Sequence, residues 1–119
     1  MDLEYYLNEK ELWEKVELFF QTHFDTEKHP SLEVMLFLIG VQELGSGKQN
    51  YSKDDKLNLL HIAVCRLLEP YGFYKFSGYD NDGWPQYKEL QALPELKPNE
   101  QSLLMKKAII QYFLDEELM

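Results

Sequence analysis

The sequence predicts a mainly helical α+β fold, about four helices with one antiparallel β-hairpin between the third and the fourth. Three observations predict it. Apolar residues recur at helical spacing over four stretches. Those stretches begin or end on capping and breaking residues. After Pro70 the pattern changes, and seven of the seventeen aromatic residues gather between Tyr71 and Tyr87, around the turn Asp80-Asn81-Asp82-Gly83. At 119 residues the chain is one domain by length, 1–119, with enough surface to bury for a core of its own.

The first helix is expected over Glu9–His23, with Asn8 as its cap and Glu11 at the reciprocal position, and with room for an extra turn before Asn8. Leu12, Val16, Phe19 and Phe20, with Trp13 beside them, form its apolar face. The second runs from Leu32 to Leu44, between Ser31 as cap and Gly45 as stop. It is apolar nearly all round, which predicts burial on more than one side. Its interior Gly40 marks a close helix crossing.

The third helix spans Lys53 to Glu69, capped by Ser52 with Asp55, and Pro70 stops it with Glu69 biased to extended geometry. Leu57, Leu60, His61, Val64 and Leu68 make one face, widened by Leu59, Ile62, Ala63 and Leu67. Two such apolar helices need covers, which the first and fourth can supply. Phe73–Tyr79 and Trp84–Leu90 read as strands. A type I turn followed by a left-handed Gly83 would pair Lys75 with Glu89, Tyr74 with Leu90 and Tyr79 with Pro85. The fourth helix starts at Pro98 and reaches Leu114, with Leu104, Ala108, Ile109, Tyr112 and Phe113 as its buried stripe. The acidic tail Asp115-Glu116-Glu117 opposes the helix dipole and is expected to fray.

Charge narrows the function. With 21 acidic against 12 basic residues the formal charge is −9, so nucleic acid and anionic membrane surfaces are repelled. The longest apolar run, Val34–Val41, is far shorter than the roughly 20 residues that span a bilayer. The N-terminal MDLEYYLNEK has no basic stretch followed by an apolar one, and Cys65 has no second cysteine to pair with. These features place the chain in the cytoplasm.

Several groups carry possible chemistry. Gly45-Ser46-Gly47-Lys48 looks like part of a phosphate loop, but Gln42 and Gln49 stand where the motif needs Gly and Ser or Thr. A plain turn is the better reading. His61 and Cys65 are four apart on one helical face, half of a zinc site or a thiol–base pair. The apolar neighbours favour Cys65 as core. His23, Asp25, Glu27 and His29 alternate along a loop and are the densest set of potential ligands. Asp80, Asp82, Gly83 and Glu89 fall at calcium-loop positions, but Gly78 and Pro85 break that motif and a turn explains them. No cofactor or metal is expected. Arg66, the only arginine, suits an ion pair with Glu69 or with a neighbouring carboxylate, or else an anionic ligand. Tyr79, Trp84 and Tyr87 are candidate partner-binding residues on the hairpin.

Three strings, LIGVQELG (Leu38–Gly45), HIAVCRLLEPYG (His61–Gly72) and GYDNDGWPQY (Gly78–Tyr87), together resemble a family of small, acidic, uncharacterised bacterial proteins. The resemblance extends from about Pro30 to Phe113. It implies a bacterial, intracellular protein and adds nothing on mechanism. The leading functional expectation is a non-enzymatic interaction module that forms homo-oligomers and presents the hairpin to a protein partner. Its binding candidates are Arg66, Tyr79, Asp80, Asp82, Trp84 and Tyr87. The alternative is a small metal- or anion-binding protein, possible as an enzyme. No nucleophile, base and stabiliser come together in the sequence, which makes the enzyme class the less expected one.

Overall fold

A computed structural model describes residues 3–47 and 50–119, with the side chains of residues 3–7 left aside. Among the described residues four α-helices and one antiparallel hairpin follow in order: α1 (Leu3–Phe24), α2 (Leu32–Leu44), α3 (Lys53–Leu68), β1 (Tyr74–Tyr79), β2 (Pro85–Glu89) and α4 (Pro98–Asp115). This is the mainly helical α+β class expected, with the hairpin between the third and fourth helices. The phosphate-loop comparison at Lys48 and Gln49 lies outside the described residues, as do Met1 and Asp2. The chain groups into two compact units, Met1–Leu32 with Lys97–Met119, and Glu33–Leu96.

The first unit contains α1 and α4. Val16 and Phe20 of α1 are buried, as are Ala108, Ile109, Tyr112 and Phe113 of α4. Phe113 stands edge-on to Phe19, ring centres 4.9 Å apart, and 5.5 Å from Phe20. Both apolar stripes follow the 3.6-residue period, with Leu12, Trp13, Phe19 and Leu104 half-buried at their margins.

Two helix ends differ from expectation. α1 begins at Leu3, so Asn8 lies inside it and caps nothing. A cap residue is a preference, and nothing in residues 3–7 breaks a helix. The acidic tail is tied rather than frayed. Glu117 takes φ 55°, its N–H donates to the Leu114 carbonyl, and the Leu118 N–H donates to that of Phe113. These bonds satisfy end carbonyls that the dipole argument alone leaves open.

The second unit holds α2, α3 and the hairpin. α2 meets α3 at Gly40, where a Cβ would fall 2.2 Å from the Leu59 carbonyl oxygen. The glycine therefore marks a close crossing, as read. Burial of α2 is less complete than its composition suggests. Met35, Ile39 and Gly40 are buried, while Val34 stays 42% exposed. Gly45, at φ 63°, ends the helix with its N–H on the Val41 carbonyl.

At the start of α3 the Ser52 Oγ accepts from the Asp55 N–H at 3.1 Å, and the Asp55 carboxylate accepts from the Ser52 N–H at 3.2 Å. The buried face is Leu59, Ile62, Ala63, Cys65, Leu67 and Leu68. Leu57 and His61 are exposed, which reverses the expected ranking of the two overlapping stripes. On a helix apolar almost all round, periodicity cannot say which side meets a neighbour. Glu69 also stays helical, at φ −59° and ψ −46°. Pro70 enters a single 3₁₀ turn, Glu69–Tyr71, and Gly72 at φ 85° ends it. Proline is tolerated there because the first turn needs no N–H from it.

The hairpin register is Tyr79↔Pro85, Gly78↔Gln86, Phe76↔Tyr87, Lys75↔Lys88 and Tyr74↔Glu89. The pairing next to the turn is as predicted. Beyond Ser77 it is shifted by one, because a bulge between Phe76 and Gly78 takes up the extra residue. Ser77 Oγ donates to the Gln86 carbonyl at 3.1 Å, and Gly78 takes φ 116°. The expected Lys75–Glu89 pair is thereby replaced by two lysines facing each other.

The turn is built as the sequence suggests. The Gly83 N–H donates to the Asp80 carbonyl, and Asp80 Oδ1 accepts from the N–H groups of Asp82 and Trp84, each at 2.9 Å. Gly83 sits at φ 84° with open space where a Cβ would be. Its cost on substitution is purely conformational. Gly83→Ala is expected to destabilise by about 1 kcal/mol. An unchanged midpoint in chemical denaturation would contradict the left-handed turn.

Candidate functional site

The second unit carries a cleft of ≈ 410 Å³ between the N-terminal half of α3 and the hairpin turn. Its helix wall is Asp55, Asn58, His61 and Ile62, and its hairpin wall is Asp80, Asp82, Trp84, Pro85, Gln86 and Tyr87. The helix residues align because positions three and four apart share a face. The hairpin residues reach the cleft from the turn and the start of β2, where the Asp80 carboxylate holds the Trp84 N–H. Three carboxylates and no lysine or arginine line the space. Two of them also build local structure: Asp55 caps α3, and Asp80 ties the turn.

Beside the cleft runs an aromatic ladder. Phe76 meets Tyr87 edge-on at 5.7 Å and Tyr79 at 5.2 Å. Tyr79 is 67% exposed and Phe76 39%, while Tyr87 and Trp84 are half-buried. The hairpin thus divides its aromatics: Tyr87 anchors the sheet and Tyr79 is presented to solvent. Burial and the nearby Glu43 and Glu69 carboxylates hold the Tyr87 hydroxyl above the usual phenol range. Glu69 also closes the outer edge of β1 by accepting from the Phe76 N–H at 2.8 Å.

Of the six residues singled out from the sequence, Asp80, Asp82, Trp84 and Tyr87 line the cleft and Tyr79 lies on the ladder beyond it. Arg66 is elsewhere. Its Nε is 3.5 Å from Glu43 Oε1, and both side chains are largely buried. The neighbouring carboxylate expected for it is that of Glu43 on α2. Of the helix wall, Asp55, Asn58 and Ile62 were not assigned to a site from sequence, and His61 was weighed only as a partner of Cys65. The i, i+3, i+6 spacing of Asp55, Asn58 and His61 on one side of the helix is the signal that marks it.

Cys65 Sγ and His61 Nε2 are 3.5 Å apart. The sulfur is fully buried, and burial, then the Glu89 carboxylate, pushes the thiol up to about 11. The thiolate is the reactive species, so at neutral pH this thiol is poorly nucleophilic. A thiol reagent is expected to label the native protein only after denaturant is added. Labelling in seconds at pH 7 would overturn that assignment. In the His23–His29 loop the side chains turn to different partners. The His23 ring stacks on Phe19 at 4.2 Å, and His29 Nδ1 is 3.0 Å from Glu17 Oε2. Among the described residues no three His, Cys, Asp or Glu converge closely enough to hold an ion, the hairpin turn included. No described helix is long and apolar enough to cross a membrane.

No protein family, curated protein or solved structure matches the chain.

Proposed function

We propose that the protein is a non-enzymatic, cytoplasmic interaction module that self-associates and presents the hairpin to a protein partner. The observation that carries this reading is the ladder of Tyr87, Phe76 and Tyr79, which begins half-buried and ends in a tyrosine 67% exposed. Rigid aromatic side chains anchored at one end give contact area at little entropic cost. Self-association is supported by apolar side chains left more than two-fifths exposed, Val34 and Leu57 in one unit and Leu18 and Leu103 in the other. The −9 charge disfavours nucleic acid as the partner.

Sedimentation equilibrium tests the first half: a dimer is expected at micromolar concentration, and a 14.2 kDa species alone up to high micromolar concentration overturns it. Affinity capture from the native cell tests the second, with the wild type against Tyr79→Ser. Proteins held by the wild type are expected to be lost with the variant. Identical retained sets would show that the hairpin is not the contact.

A further inference from the structure

We propose that the cleft between α3 and the hairpin turn receives a lysine or arginine side chain from an extended basic segment of a protein partner. The inference rests on the interaction-module reading and names the chemistry of the partner. Four observations carry it. The cleft, at ≈ 410 Å³, lies within the size range of ligand sites. Asp55, Asp80 and Asp82 give it negative charge from two separate elements, and no lysine or arginine lines it to neutralise them. Trp84 and Tyr87 add ring surfaces, which attract a cation desolvated against them. The exposed Phe76 and Tyr79 continue from Tyr87 outside the cleft, so residues flanking the basic one have a surface to lie on.

The same geometry selects among cations. Asp55 and Asp80 each commit a carboxylate oxygen to a backbone N–H, of Ser52 in one case and of Asp82 and Trp84 in the other. These bonds hold them in place, and they are not gathered around a point. A small divalent ion needs convergent oxygens within a short radius. A guanidinium or ammonium on a long stem is satisfied by carboxylates spread around a wider space.

Fluorescence anisotropy tests the proposal on the whole protein. The probe is a short fluorescein-labelled peptide of alternating arginine and serine, compared with the same peptide carrying citrulline in place of arginine. The arginine peptide is expected to bind saturably in the micromolar range and the citrulline peptide not to bind. Asp82→Lys places a like charge at the rim and is expected to weaken binding by about tenfold or more. Asn58→Lys does the same from the helix wall and leaves the turn untouched. Glu95→Lys makes the same charge change as Asp82→Lys at an exposed loop residue outside the lining, and is expected to change affinity little.

Equal weakening by Glu95→Lys and Asp82→Lys would reduce the binding to general charge attraction and overturn the proposal. So would the lack of saturable binding of the arginine peptide. Agmatine competing as well as the peptide at equal concentration would make the cleft a site for small organic cations and overturn the peptide assignment. These failures differ from failure of the module reading. That reading falls in the capture experiment, when Tyr79→Ser retains the same proteins as the wild type, whatever the peptide does.

Discussion

Gly40→Ala is expected to destabilise the protein by about 3 kcal/mol or more, the upper end of overpacking costs. The added Cβ would lie 2.2 Å from the Leu59 carbonyl oxygen, 2.8 Å from its carbon and 3.0 Å from the Leu59 Cβ. Two of those atoms belong to the backbone of α3, so no rotamer change relieves the contact. α2 must lift away from α3, and it loosens Met35 and Ile39 as it goes, since both are buried on the same helix. The competing effect has the opposite sign. Alanine in a helix interior is favoured over glycine by about 1 kcal/mol. The sign of the change therefore decides between the two effects. Urea denaturation should show a lower midpoint for Gly40→Ala, and a neutral or stabilised variant would refute the close crossing.

That crossing was legible in the sequence because a glycine inside an apolar helix has few other reasons to be there. Local chemistry also placed the Ser52–Asp55 cap, Gly45 after α2, Pro98 at the start of α4 and Gly83 in the turn. Each of these depends on neighbours a few residues away. What depends on distant neighbours was not legible. Leu57 and Leu59 are equally apolar, yet one is exposed and the other fully buried, because only Leu59 faces Gly40. The bulge at Ser77 was not legible, because the unshifted register offered the better pairs, Lys75 with Glu89 and Tyr74 with Leu90, where the bulge sets Lys75 against Lys88 and Tyr74 against Glu89. At the candidate site the hairpin wall was found through its aromatic and acidic residues. The helix wall was missed because nothing in the sequence links Asp55 and Asn58 to a turn that follows the next proline.

The unit formed by α1 and α4 has its own sensitive point at Phe113. Phe113→Ala is expected to cost about 4 kcal/mol, in the range for removing a buried aromatic ring. The side chain is fully buried, and its ring contacts Phe19 edge-on at 4.9 Å and Phe20 at 5.5 Å with a 56° tilt. Truncation removes the transfer free energy of the ring, leaves a cavity and breaks ring contacts with Phe19, Phe20 and Tyr112, worth roughly 1 kcal/mol each. Refilling the space is difficult, because Phe20 and Ile109 are themselves buried on packed helices. Phe24→Ala supplies the comparison. Phe24 closes the same aromatic group, 5.9 Å from Phe20, but is 37% exposed and ends α1. Its loss is expected to cost about 1 kcal/mol, since water already reaches part of the ring. Equal losses in the two variants, or less than about 2 kcal/mol for Phe113→Ala, would mean that the ring cluster does not hold α1 and α4 together.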